Sequence, residues 1–341
     1  MPQSRSPSSS PHALARALTL IPAAALIVTN VVGTGIFVKA RVMTCYVGTP
    51  WVVLLAFAAA GVFTLMGALT IAELSAMMPR SGGQYNFIGA AFGRVWAFLY
   101  GWMETLLDGA ASVAAVAMVF VLFLNELLAR SLSPLNIQIL TAATILVVIL
   151  LNLASVRFNG ILASAITWLK IFLVAGIGIS AFLFSDGSWS NLAQSGAAGS
   201  CTGVETGLRS GLAGFGAAVV SALWAYNGWA DLSFVAEEVR DPGRTLPRAT
   251  LVASLLVIVL YLLINAGYFF ALGASEITNS GEDSSVAAML ATRLLGAGGA
   301  AALTVGLMLS TLEPSTPPRS RLPASPSRWP ATGCCRVLSG R

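Results

Sequence analysis

The chain has 341 residues, 56% of them hydrophobic and only 10% charged, with a formal net charge of +5. Soluble domains carry about 25% charged residues, so these proportions exclude a protein that covers a water-facing surface with polar groups. The single histidine, His12, leaves no HExxH zinc pair and no Ser-His-Asp triad, and the scattered basic residues form no nucleic-acid face. The class that remains is an all-α polytopic membrane protein, because lipid offers no partners for bare backbone groups. No enzyme activity, cofactor or metal site is expected.

In chain order, the polar N-terminal segment 1–17 carries Arg5 and Arg16 and reads as a cytoplasmic tail. The first apolar run, Leu18–Val38, is too long for a signal h-region and is read as a retained helix. Seven further spans follow: Trp51–Met77, Phe92–Leu124, Ile137–Ala154, Gly160–Phe184, Gly214–Val235, Thr250–Leu272 and Val286–Leu309. Each is long enough to cross a hydrocarbon core of about 30 Å. Short connectors carry the expected breakers, including Thr49-Pro50, Pro79–Gly83, Ser133-Pro134 and Asp241-Pro242-Gly243. The longest connector, Ser185–Ala213, is rich in Gly and Ser and is expected to face solvent. Short-loop Arg80, Arg94, Arg157, Arg240, Arg244 and Arg248 favour an orientation with the N-terminus inside. Cys45 and Cys201 then lie in two outside loops, where a disulfide between them is compatible with the topology but not required by it. After Thr311 the character changes abruptly: residues 311–341 are dense in Pro, Ser and Arg and have no helical period. This segment reads as a disordered tail, or as the product of a reading frame shifted near Leu312.

Two spans contain interruptions. In the first, Asn30-Val31-Val32-Gly33-Thr34-Gly35-Ile36-Phe37 places two glycines around a threonine, each costing about 1 kcal/mol of helix stability relative to alanine. A helix broken there would direct free N–H groups and a positive dipole end into the membrane, suited to a carboxylate. The competing reading is that Gly33 and Gly35 only allow close helix packing. In the sixth span, Trp224-Ala225-Tyr226-Asn227-Gly228-Trp229 sets an Asn-Gly turn signal where a continuous helix is otherwise demanded. Interruptions at corresponding positions of two halves point to a midplane substrate site, and Trp224 is a candidate lid over it.

Lys170 lies about ten residues into the fifth span, hence about 15 Å deep. At the bilayer centre a lysine costs about 2.5–3.5 kcal/mol on insertion scales, so it should face a partner or a cavity. Two readings stand: a structural pair with Glu104, which has Asp108 on the same face at i+4, or a lysine that exchanges a proton during transport.

The pieces Gly33-Thr34-Gly35-Ile36-Phe37 and Pro79-Arg80-Ser81-Gly82-Gly83-Gln84-Tyr85-Asn86-Phe87-Ile88 are two parts of a recognisable pattern. The third is Leu223–Trp229 running into Phe234-Val235-Ala236-Glu237-Glu238 and Asp241-Pro242-Gly243-Arg244-Thr245-Leu246-Pro247-Arg248. Together they resemble the amino acid–polyamine–organocation superfamily, in its L-type amino acid transporter branch. The resemblance implies a five-plus-five inverted-repeat fold with helices 1 and 6 broken, over about residues 18–310, and transport of amino acids by alternating access. It implies that Gly33, Thr34, Gly35 and Ile36 receive the substrate carboxylate. Carbonyls near Ala225 and Gly228, with Val31, would receive the ammonium group, and Trp224 would be the gating aromatic. Lys170 falls where some members carry a lysine in place of a sodium ion. The family core has ten helices and this chain supplies eight, so its second repeat is expected to be incomplete. A truncated, transport-inactive remnant acting as a membrane interaction partner is therefore the alternative. Asn125–Asn136 contains no cysteine, so no disulfide-linked heavy chain is expected. Small or neutral amino acids are the expected substrates, since the helix-6 interruption offers no acidic group for a cationic side chain. Exchange, proton symport and uniport are each compatible with these residues.

Overall fold

The computed structural model describes residues 18–33, 35–129, 131–152, 156–195, 201–280 and 285–311. The N-terminal segment, Thr34, the end of the expected fourth span at Ala154 and the tail from Leu312 lie outside the described residues.

The described chain is helical. The first expected span is two helices, α1 (Leu20–Val31) and α2 (Gly35–Val47), bent by 48°. Helix α3 (Pro50–Met77) follows, with proline at its first position where a missing N–H costs nothing. After a turn, α4 (Gln84–Phe92) leads into α5 (Arg94–Trp102), a π-helical stretch over Met103–Gly109, and α6 (Ala110–Leu127), which together make one 34-residue span. Then come α7 (Pro134–Asn152), α8 (Val156–Phe184), α9 (Gly211–Ala225) and α10 (Pro242–Ala271). The short α11 (Ala274–Asn279) and α12 (Val286–Thr311) complete the set, α12 kinked at Gly296. Among the described residues six helices are long and apolar enough to cross a membrane, and the α1–α2 pair makes a seventh.

Helix α3 packs on α10 through a stripe of small side chains. Ala56, Ala60, Thr64, Ala68 and Ala72 recur every four residues and are all buried. Small residues at that spacing let two backbones approach where lipid supplies no hydrophobic driving force. A Cβ on Gly61 would lie 2.8 Å from Ile258 Cγ1, a measure of how close the approach is. Helix α8 crosses α10 at a second such point, where a Cβ on Gly267 would lie 2.9 Å from the Gly178 carbonyl oxygen. The outward faces stay apolar: Leu146, Ile149 and Leu150 of α7 and Trp168 and Phe172 of α8 are exposed, as lipid-facing residues would be.

Several expected boundaries are corrected. The first span was expected to end at Val38, before Lys39 and Arg41, but α2 runs on to Val47. Charge does not end it because Arg41, 1% exposed, finds carbonyl and hydroxyl acceptors inside the protein. Its guanidinium donates to the Ser280 carbonyl (2.9 Å) and to Thr202, at the carbonyl (3.2 Å) and the hydroxyl (3.3 Å). The sixth span, expected as Gly214–Val235, is helical only to Ala225 and resumes as a 3-10 segment over Asp231–Glu238. The seventh begins at Pro242 rather than Thr250; its first turns carry Arg244 and Arg248, which lowered the hydropathy without breaking the helix.

The connector expected to be simply solvent-facing is partly packed. Cys201 and Val204 are buried, and a disulfide joins Cys201 to Cys45 with Cα atoms 5.7 Å apart. Trp189 packs with Phe182 and Phe270 at ring separations of 5.0–5.5 Å. At the opposite end, Leu18 bridges Val239: its N–H donates to the Glu238 carbonyl (3.0 Å) and its carbonyl accepts from the Arg240 N–H (2.9 Å).

Candidate substrate site at two facing helix breaks

Helix α1 ends at Val31, where the chain leaves helical geometry through Val32 and Gly33 before α2 starts at Gly35. The first turn of α2 has N–H groups that no preceding helical carbonyl accepts, and the last turn of α1 has carbonyls in the converse position. The second break is of the same kind. Helix α9 stops at Ala225, the Asn227 N–H folds back to the Trp224 carbonyl (3.2 Å), and Gly228 takes φ +113°. That conformation is open to glycine and strained for other residues.

The two breaks interlock. A Cβ on Gly228 would lie 2.7 Å from the Asn30 carbonyl oxygen, so the turn after α9 sits directly on the end of α1. A Cβ on Gly35 would lie 2.9 Å from Trp224 Cζ3 and 3.1 Å from Ala225 Cα, so the start of α2 sits on the end of α9. The broken-helix reading of the first interruption therefore holds, and the packing reading holds at Gly35, whereas a Cβ on Gly33 would meet nothing closer than the Val31 carbonyl oxygen at 3.9 Å.

Three polar side chains hold this junction. Tyr261 of α10, fully buried, donates its hydroxyl proton to the carbonyls of Val31 (2.8 Å) and Ala225 (3.0 Å), the last residues of α1 and α9. Lys170 of α8, 5% exposed, donates to the Thr29 carbonyl (3.2 Å), and the Thr29 and Thr167 hydroxyls bond each other. A cation on the carbonyl end of α1 suits the negative pole of that helix. The structure thus turns Lys170 towards α1, while the Tyr100 hydroxyl, one turn before Glu104, donates to the Gln84 side chain. On the other side, Lys39 of α2 holds its Nζ 4.4 Å from the centroid of the Trp224 ring. Trp224 is half exposed, as a movable lid would be.

Of the residues singled out in the sequence, Val31, Gly35, Ile36 and Ala225 are buried at the junction, while Gly33 and Gly228 are half-buried. Thr34 lies outside the described residues. Tyr261 is the residue that sequence reading missed: a tyrosine inside an otherwise apolar span is the signal it left, since a buried hydroxyl needs a partner. An apolar hollow lined by Ile88, Phe92, Trp96, Leu99, Tyr100 and Met103 contains no break residue.

The chemistry of the junction is dipolar. The N–H end of α2 favours negative charge, and the carbonyl ends of α1 and α9 favour positive charge. The Ala225 carbonyl oxygen keeps a second lone pair beside its bond from Tyr261, whereas the Val31 oxygen also accepts from the Gly33 N–H (2.8 Å). The chain is similar in sequence to several known transporters. The serine/threonine exchanger SteT of Bacillus subtilis is 29% identical over 301 residues, 88% of this chain and 64% of that protein. The human b(0,+)-type amino acid transporter 1 is 31% identical over 281 residues, 82% of this chain and 55% of that protein. The human cystine/glutamate transporter is 29% identical over 286 residues, 83% and 55% respectively. The chain thus spans between half and two thirds of the length of these relatives. The amino acid permease family model matches residues 18–312, and the chain belongs to that family.

Proposed function

We propose that this chain carries amino acids across the membrane by alternating access, holding the substrate at the two facing breaks. The observation that carries the proposal is the meeting of a helix N-terminus, at Gly35 and Ile36, with two helix C-termini, at Val31 and Ala225. An α-amino acid is a zwitterion with its charges on one carbon, and this junction offers both poles within one small region. The carboxylate binds the N–H groups around Gly33, Thr34, Gly35 and Ile36. The ammonium group binds at the carbonyl ends around Val31, Ala225 and Gly228, and Trp224 closes over the bound molecule.

Lys170 holds the carbonyl end of α1 in place, as a bound cation would, and the Thr29–Thr167 bond fixes the same turn from α8. Small or neutral amino acids are the proposed substrates. The N-terminus lies on the cytoplasmic side of the cell membrane, which puts the Cys45–Cys201 disulfide on the outer, oxidising face. The absence of cysteine from Asn125–Asn136 supports a chain that works without a disulfide-linked heavy chain.

The test is uptake of labelled L-serine and L-alanine into proteoliposomes by the chain and by Trp224→Ala. Uptake that Trp224→Ala reduces about ten-fold or more supports the proposal. Binding without uptake would favour the inactive-remnant alternative, and neither binding nor uptake would remove the amino-acid reading.

A further inference from the structure

The positions of Lys39 and Trp224 carry a consequence for which amino acids the site accepts. On α2, Lys39 is four residues beyond Gly35 and therefore on the same face. A helical side chain leans towards the N-terminus of its own helix, so Lys39 leans back over the turn that begins at Gly35. The Trp224 ring lies against that same glycine, 2.9 Å from where a Cβ would stand. The ammonium group is 4.4 Å from the ring centroid. The chain's own cation thus occupies a face of the lid tryptophan, beside the start of α2.

Trp presents the strongest cation-binding face among the side chains, and it would otherwise attract a substrate with a cationic side chain. Here a substrate cation approaching the ring meets the Lys39 ammonium instead. Two like charges in a partly desolvated region repel more strongly than in water. The N-terminal pole of α2 adds to the positive potential.

We infer that Lys39 is a specificity-determining residue of the amino-acid site, turning away substrates whose side chains are cationic while admitting neutral ones. The inference rests on the substrate position proposed above. Lys39 acts here through charge and through its place on the Trp224 face.

The experiment compares L-lysine with L-norleucine, which share a four-carbon side-chain stem and differ by the terminal ammonium group, as labelled substrates in proteoliposomes. The proteins are the unaltered chain, Lys39→Gln, Lys39→Met and Lys39→Arg. Equilibrium binding of both amino acids to purified protein is measured in parallel. In the unaltered chain norleucine is preferred. In Lys39→Gln the lysine-to-norleucine ratio rises about ten-fold, equivalent to ~1.4 kcal/mol, and Lys39→Arg keeps the original ratio. Lys39→Met, which retains the apolar stem, gives the same shift as Lys39→Gln and provides the answer where that variant does not fold. A ratio unchanged in Lys39→Gln and Lys39→Met, with norleucine still carried or bound, overturns the role of Lys39 and leaves the transport proposal standing. An unaltered chain that neither binds nor carries any amino acid overturns both.

Discussion

Replacing Tyr261 by phenylalanine should loosen the junction between the two breaks without altering its shape. The ring would keep its neighbours, Tyr226 at 4.9 Å and Phe57 at 6.3 Å between centroids, so little packing is lost. What disappears is the hydroxyl shared by the Val31 and Ala225 carbonyls, at 2.8 and 3.0 Å. One hydroxyl has one proton, so about one full-strength bond is removed rather than two. The Val31 carbonyl still accepts from the Gly33 N–H (2.8 Å), so the Ala225 carbonyl is the one deprived of its donor. That loss costs about 1–3 kcal/mol, and this is the expected destabilisation. Thermal unfolding of the purified protein in detergent measures it, with Tyr226→Phe as control. The Tyr226 hydroxyl donates to the Phe57 carbonyl at the longer distance of 3.3 Å, so its loss should cost less. The Val31 and Ala225 carbonyls are also where the ammonium group is proposed to bind, so Tyr261→Phe should change substrate affinity as well, whereas Tyr226→Phe should not. A Tyr261→Phe protein as stable as the unaltered chain, or less affected than Tyr226→Phe, would refute the reasoning.

Gly228→Ala should be severely destabilising, because φ +113° strains a side chain by about 1–3 kcal/mol and the new Cβ would meet Asn30 backbone atoms at 2.7–2.8 Å; near-native melting would argue against the interlocked breaks. The Cys45–Cys201 disulfide closes a loop over a sequence separation of 156, worth up to about 5 kcal/mol in the chain-entropy account. Reductant should therefore lower the melting temperature of the unaltered chain but leave Cys45→Ser/Cys201→Ser unmoved; equal responses would show that the bond does not form. The Glu238 carboxyl beyond the second break is raised above its ordinary pKa by burial first and by neighbouring Glu237 second. A raised folded-state pKa means that this group favours the folded state below its unfolded pKa and that the contribution is lost as pH rises through the folded value. Glu238→Gln should accordingly be slightly more stable than the unaltered chain at neutral pH, the difference closing on acidification; a difference that widens in acid would contradict the sign.

Much of this architecture is legible in the residues alone. Apolar runs of membrane length determine helices, because a backbone in lipid has no other way to satisfy its hydrogen bonds. The glycines at 33 and 35 and the Asn227-Gly228 pair mark the breaks for an equally local reason, since they weaken helix and open conformations denied to other residues. What the chain does with its charges inside the membrane is not local. Lys39 and Arg41 read as the end of a span, yet tertiary structure gives Arg41 acceptors at Thr202 and Ser280, far along the chain, and gives Lys39 the ring of Trp224. Lys170 has a carboxylate at matching depth by sequence, and the packing of α8 on α1 turns it to the Thr29 carbonyl instead. Tyr261 carries no motif at all; only the folding of α10 between α1 and α9 brings its hydroxyl to two helix ends at once. Hydropathy is a property of the chain segment, whereas the cost of a buried polar group is decided by which partner arrives from elsewhere, and that is settled only when the helices pack.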